Sequence, residues 1–203
     1  MFDRNALRWA GPGLDRAAAA LVRLGVGANA ITLAGFALGL GAAVAIAFEC
    51  YLSGLGLIAA SRLADGLDGA VARQTQPTDT GAFLDIALDF VFYASVPLAF
   101  AWARPEANAL AAAVLLFSFM GTASSFLAFA VMAERRGLSA SAYPTKGLYY
   151  LGGLTEGSET LLCFALMCSW PGQFAAFAYV FSVLCGLTWA TRMYAGWSLL
   201  KDR

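Results

Sequence analysis

Apolar runs of about 20 residues, each closed by a short polar or proline-containing stretch, recur along this chain and predict membrane-spanning helices. Residues 24–48 carry no charge and form the first expected span. Residues 53–73 form the second, apolar in its first half and carrying Arg62, Asp65 and Asp68 in its second. Gln74 to Thr80, with Pro77 and Asp79, reads as a turn. Residues 81–103 form a third span, polar at its start and apolar beyond Asp89. Arg104-Pro105-Glu106 closes it, and the uncharged residues 107–133 form a fourth. After a polar loop from Glu134 to Lys146, residues 148–169 read as a fifth span with Glu156 and Glu159 near its start. Pro171-Gly172 turns the chain into a sixth, ending near Trp197. The pattern is that of an all-α membrane protein with six transmembrane helices. A single domain is expected over residues 1–203, with a juxtamembrane segment over 1–24 and the bundle over 25–198.

The N-terminal pattern differs. Residues 3–23 mix Asp3, Arg4, Arg8, Asp15, Arg16 and Arg23 with apolar positions, unlike a signal peptide. Leu7, Trp9, Leu14, Ala18, Leu21 and Leu24 predict short amphipathic helices on the membrane surface, broken at Gly11-Pro12-Gly13. Six spans place both termini on one side. The segments on that side hold ten basic residues, among them Arg16, Arg23, Arg73, Arg135, Arg136, Lys146 and Lys201, against Arg104 alone on the other. Both termini are therefore expected in the cytoplasm.

Composition agrees with a membrane protein. Apolar residues make up 60% and charged residues 13%, about half the charged share of a soluble domain. Thirteen basic and thirteen acidic residues cancel, so no bulk field points to nucleic acid. Histidine is absent, which removes the commonest transition-metal ligand and the usual general base. Any metal is expected to be a hard cation held by oxygen. Cys50, Cys163, Cys168 and Cys185 lie in apolar stretches without a CxxC pair and read as small buried hydrophobes. Gly35, Gly39 and Gly41 in the first span, with Gly54, Gly56, Ala59 and Ala60 in the second, predict close helix packing.

The acids interrupt this picture. Asp65, Asp68, Asp85 and Asp89 sit in segments otherwise apolar enough to span a bilayer, where charge is costly and marks function. Residues three or four apart share a helical face, so Asp65, Asp68, Gly69 and Ala72 line one face and Asp85 and Asp89 another. The short 74–80 turn predicts antiparallel neighbours, bringing all four carboxylates to one pocket near the cytoplasmic surface. A divalent cation, Mg²⁺ or Mn²⁺, relieves their repulsion and leaves coordination positions for phosphate. Gly69 leaves room for a ligand, Ala72 leaves volume for a flat group, and Arg73 can meet a phosphate oxygen.

The spacing Asp65-x-x-Asp68-Gly69-x-x-Ala72-Arg73, then Gly81-x-x-x-Asp85-x-x-x-Asp89, resembles the signature of the CDP-alcohol phosphotransferases (CDP-alcohol phosphatidyltransferases). All eight signature residues occur in order. The six expected spans, the N-terminal surface helix and Asn29-x-x-Thr32 extend the likeness over most of the chain. Seven residues separate Arg73 from Gly81 where eight are more usual. The resemblance implies a membrane enzyme, in a bacterial inner membrane, that moves a substituted phosphate from a CDP-linked donor, often CDP-diacylglycerol, to an alcohol with release of CMP. It implies Asp65, Asp68 and Asp85 as metal ligands, with Asp89 completing the cluster and serving as general base. Asn29, Thr32, Gly69, Ala72, Arg73 and Gly81 then shape the nucleotide and diphosphate site, and a homodimer is implied. Asp89 is also the acid deepest along its span, which fits a residue less committed to metal.

Polar residues elsewhere are candidates for the acceptor: Arg135, Arg136, Lys146, Glu156, Glu159 and Arg192. In the family, phosphorylated acceptors such as glycerol phosphate or inositol phosphate are held by basic residues from these regions, here Lys146 and Arg192. Arg135 and Arg136 fit a cytoplasmic anchor better than an acceptor site, and Arg192 fits a snorkelling side chain as well as a functional one. Glu156 and Glu159 are open to pairing with Arg62 or Arg192, or to binding acceptor hydroxyls or an amine. Tyr149 and Tyr150 read as an interface belt. Arg62, one turn before Asp65, is expected to neutralise the acids or touch phosphate. Three other readings stand beside this one: a CDP-aminoalcohol or CDP-polyol transferase acting on a lipid alcohol, an intramembrane cation transporter, and a silent lipid-binding protein. The acids gather at one face and no repeat is visible, which disfavours transport. All four acids are intact, which disfavours silence.

Overall fold

Every element formed is a helix, in a computed structural model that describes residues 2–137 and 154–201, with side chains from residue 13 onward. The elements are α1 (Phe2–Arg23), α2 (Ala28–Ala47), α3 (Tyr51–Gln74), α4 (Asp79–Ala103), α5 (Pro105–Arg135), α6 (Gly157–Ser169), a 3₁₀ turn (Pro171–Gln173) and α7 (Phe174–Lys201). Among the described residues, four stretches are long and apolar enough to cross a membrane: α2, α4, α5, and Pro171–Lys201. The expected second span, α3, carries Arg62, Asp65, Asp68 and Arg73 and is not among them. α6 has 13 residues and rises only about 20 Å, short of a hydrocarbon core about 30 Å thick. The expected fifth span therefore differs: its helix begins at Gly157, with Glu156 at the N-cap, and residues 148–153 lie outside the described residues.

The N-terminal segment is one helix, not two. α1 runs unbroken through Gly11-Pro12-Gly13, because a proline removes a single backbone hydrogen bond and the flanking turns continue. It docks on α3: Leu14, Ala18 and Leu21 pack against Ala70, Val71 and Ile31, while Arg16 and Arg23 face outward. Leu24, just past the helix, is 76% exposed and does not join this face.

α2 organises the bundle. It lies against both α3 and α4, whereas α3 and α4, consecutive in sequence and expected as packed neighbours, make only marginal contact. Small residues on α2 permit this close approach. A Cβ on Gly35 would stand 2.9 Å from the Ala64 Cβ, and one on Gly39 would stand 2.6 Å from Phe92 Cδ2. Gly41 and Gly56, expected to share this role, have no such close neighbour. We expect Gly39→Ala to destabilise the bundle by about 1–3 kcal/mol, since the buried Phe92 ring must move, which thermal unfolding in detergent will measure.

α5 packs on α4 and α7, and Phe92, Phe100, Leu115, Phe164, Met167 and Phe174 fill the centre. Phe100 stacks on Phe174 with ring centroids 4.5 Å apart. Cys163, Cys168 and Cys185 are buried there as expected, but Cys50 is exposed at the N-cap of α3. Thr188 of α7, fully buried, accepts from the backbone N–H groups of Leu154 and Thr155, both at 3.1 Å, and ties the approach to α6 onto α7.

The helix ends are matched. Glu49, at a positive φ of 61° between α2 and α3, accepts from Arg104 Nη2 at 3.0 Å, so that connection meets the one between α4 and α5. Elsewhere Arg136 donates to the carbonyls of Leu199 (3.4 Å) and Leu200 (2.6 Å), so α5 and α7 finish together.

Candidate active site

The four acids project into the gap that α2 keeps open between α3 and α4. Counting outward from the turn along antiparallel helices sets Asp68 level with Asp85 and Asp65 level with Asp89. Thr78 caps α4, its hydroxyl accepting from the Gly81 N–H at 3.1 Å, and so fixes where the acid-bearing turns begin. Thr32, Gly35 and Phe36 of α2 form one wall of the cavity, and all four acids, with Ser61, Arg62 and Leu88, line the rest.

The acids divide into two groups. One carboxylate oxygen from each of Asp65, Asp68 and Asp85 lies within 4.8 Å of the others. Asp68 is 6% exposed and its Oδ2 is buried without a hydrogen-bond partner. A buried anionic oxygen with no donor, beside two further carboxylates, is the donor set a hard divalent cation requires, and Asp85 keeps the group open to solvent. Asp89 stands outside this group. Its Oδ1 accepts from Arg62 Nη1 at 2.7 Å, and the same guanidinium reaches Asp65 Oδ1 at 3.5 Å. Arg62 Nη2 donates to the Ser61 hydroxyl at 3.2 Å, and its carbon lies 4.3 Å from the centroid of the Phe92 ring. Arg62 thus neutralises acids, as its spacing predicted.

The remaining signature residues sit outside this cavity. The Asn29 side-chain oxygen Oδ1 would lie 3.0 Å from a Cβ on Gly81, so Gly81 permits α2 and α4 to close on each other. A Cβ on Gly69 would stand 3.4 Å from Arg73 Nη1, and Ala72 is partly buried. Arg73 turns toward α1, 3.9 Å from Asp15, whose carbonyl also accepts from Gln74 Nε2 at 2.8 Å.

The acceptor candidates are dispersed. Arg135 is exposed at the end of α5, and Lys146, Tyr149 and Tyr150 lie outside the described residues. Arg192 is buried, not snorkelling: it donates to the Thr122 carbonyl at 3.3 Å and lines a second cavity, between α5 and α7, with Lys201 at its rim. Glu156 and Glu159 form a capping box at the start of α6, with Glu159 accepting from the Glu156 N–H at 3.1 Å. We expect Glu159→Ala to cost about 1 kcal/mol of stability, read by thermal unfolding, with an unchanged acceptor KM. Sequence reading passed over Ser61, Phe92 and Tyr93. Phe92 and Tyr93 fall three and four residues after Asp89, on its helical face, and that spacing was the available signal.

The model of the CDP-alcohol phosphatidyltransferase family matches residues 26–195. The chain belongs to this family and is a CDP-alcohol phosphotransferase. Over its whole length it is 48% identical to 98% of the inner membrane protein YnjF of Escherichia coli (strain K12). Its fold is similar to that of the Mycobacterium tuberculosis phosphatidylinositol phosphate synthase PgsA1 with CDP-DAG bound. There the TM-score is 0.73 at 20% identity, covering 91% of this chain and 93% of the other. A second PgsA1 structure, with manganese and citrate, has a TM-score of 0.72 at 22% identity and covers 91% and 88%. Family membership sets the transporter and silent readings aside.

Proposed function

We propose that this enzyme transfers a phosphatidyl group from CDP-diacylglycerol to the hydroxyl of a phosphorylated polyol, such as glycerol phosphate or inositol phosphate, with release of CMP. The observation that carries the mechanism is the division of the acids: Asp65, Asp68 and Asp85 converge, while Asp89 shares their cavity, lies outside that group and pairs with Arg62. The three converging acids would hold Mg²⁺ or Mn²⁺, which when bound supplies positive charge to a donor diphosphate. Asp89 takes the proton from the acceptor hydroxyl. That oxygen then forms a bond to the phosphorus bearing the diacylglycerol, and the bond from this phosphorus to the CMP oxygen breaks. Gly69, Ala72 and Arg73, with Asn29, Thr32 and Gly81, shape the site for the nucleotide. Arg192, Lys146 and Arg135 are the basic residues proposed for the acceptor phosphate.

The bundle is proposed to be a single domain with six spans, both termini cytoplasmic, lying in the bacterial inner membrane as a homodimer. Arg73, Arg135, Arg136 and Lys201 all lie at the helix ends nearest the acids, which favours a site opening to the cytoplasm. A polar acceptor and departing CMP then exchange with solvent, while a lipid donor enters from the bilayer. The test is CMP release by the purified protein with Mn²⁺ or Mg²⁺, CDP-diacylglycerol and a panel of acceptors. Release confined to phosphorylated polyols supports the reading. Release only with a CDP-aminoalcohol or CDP-polyol donor and a lipid alcohol overturns it in favour of that second chemistry.

A further inference from the structure

Arg62 is the cation nearest the acids on the cavity wall, and its surroundings fix its planar head in place. The guanidinium rests 4.3 Å from the centroid of the fully buried Phe92 ring and donates to the fully buried Ser61. Tyr93 adds a second ring at 5.8 Å, and its hydroxyl abuts Gly157 at the start of α6. Gly39 on α2 leaves the room that both Phe92 and Ser61 occupy. Three helices therefore build the seat of one side chain, which is 15% exposed. A guanidinium held flat on a ring is stabilised by the ring's negative face and keeps its donor fork aimed. One nitrogen of that head, Nη1, meets both Asp89 Oδ1 at 2.7 Å and Asp65 Oδ1 at 3.5 Å, while Nη2 is held by Ser61.

We propose that Arg62 is the positioning residue of the reaction: it anchors one oxygen of Asp89, keeps that carboxylate from joining the Asp65–Asp68–Asp85 group, and leaves the other oxygen for the acceptor hydroxyl. Without such a restraint, an acid level with Asp65 on the facing helix is drawn to any cation the other three hold, and a carboxylate ligated to a cation is a poor proton acceptor. The inference rests on the assignment of Asp89 as the base.

The test measures Mn²⁺ binding by electron paramagnetic resonance, and CMP release, in the full chain in lipid nanodiscs. The variants are Arg62→Gln, Arg62→Lys, Asp89→Asn and the Arg62→Gln/Asp89→Asn pair. Arg62→Gln is expected to tighten Mn²⁺ binding by roughly three- to thirtyfold, as Asp89 joins the cluster, and to lower kcat at least as much with donor KM unchanged. The tightening is expected to vanish when Asp89 is already Asn. Arg62→Lys, which keeps the charge without the fork, is expected to fall between wild type and Arg62→Gln in both readouts, and carries the test alone if the Gln variant does not fold. Unchanged Mn²⁺ affinity in the folded Arg62 variants overturns the proposal, as does an equal effect with and without the Asp89 carboxylate. Binding needs no turnover, so the two readings separate. If wild type releases no CMP with any acceptor yet the Asp89-dependent tightening appears, the transfer reading fails and the Arg62 restraint stands.

Discussion

Asp89→Asn is expected to lower CMP release by roughly 10²–10⁴-fold, the usual contribution of a positioned general base. Asn is the informative replacement. It keeps an oxygen where Asp89 now accepts from Arg62 at 2.7 Å, so the seat of the guanidinium survives while the proton acceptor is lost. Asp89→Ala would also strand Arg62, whose side chain is only 15% exposed, and mix a stability loss into the rate. Because the Asp65, Asp68 and Asp85 oxygens cluster without Asp89, Mn²⁺ affinity in Asp89→Asn is expected to stay near that of wild type. Steady-state CMP release and Mn²⁺ titration on the same preparation check both statements. Full activity in Asp89→Asn would remove this residue from the proton transfer.

The second large effect concerns the cation. Asp68→Asn is expected to weaken Mn²⁺ binding by more than the roughly 10–100-fold typical of changes around, but not in, a metal's ligand set. Asp68 is the most enclosed of the three acids, and its Oδ2 is the buried oxygen without a partner. An amide presents only one acceptor atom and no charge, so it holds a hard cation more weakly than a carboxylate does. Activity of Asp68→Asn should fall in parallel at fixed Mn²⁺ and recover in part at high Mn²⁺. Chelation of divalent cations should abolish CMP release by wild type, and added Mn²⁺ or Mg²⁺ should restore it. Metal-independent release by wild type would overturn the assignment of these three acids.

Much of this site was legible in the sequence because its parts are local. Asp65 with Asp68, and Asp85 with Asp89, share helical faces by spacing alone, and the seven residues between Arg73 and Gly81 force the chain to double back. Arg62 could be tied to the acids for the same reason, being three residues before Asp65. The role of Glu156 and Glu159 stayed open in the sequence because the same three-residue spacing serves both a helical face and a capping box. Only the start of α6 at Gly157 distinguishes the two. Arg192 was placed between function and snorkelling, and its burial against the Thr122 carbonyl excludes the second.

The amino-acid sequence by itself determined the all-helical class, the membrane character and that four carboxylates share one cavity, since helical period, hydropathy and a short turn act over a few residues. Tertiary structure alone decided that α2 enters between α3 and α4, through contacts of Gly35 with Ala64 and Gly39 with Phe92 that are about 30 and 50 residues apart in the chain. It alone separated Asp89 from the other three acids, because that separation depends on a guanidinium from the facing helix seated on a ring that α2 makes room for. No periodicity within one segment encodes which of four similar carboxylates a distant cation will hold.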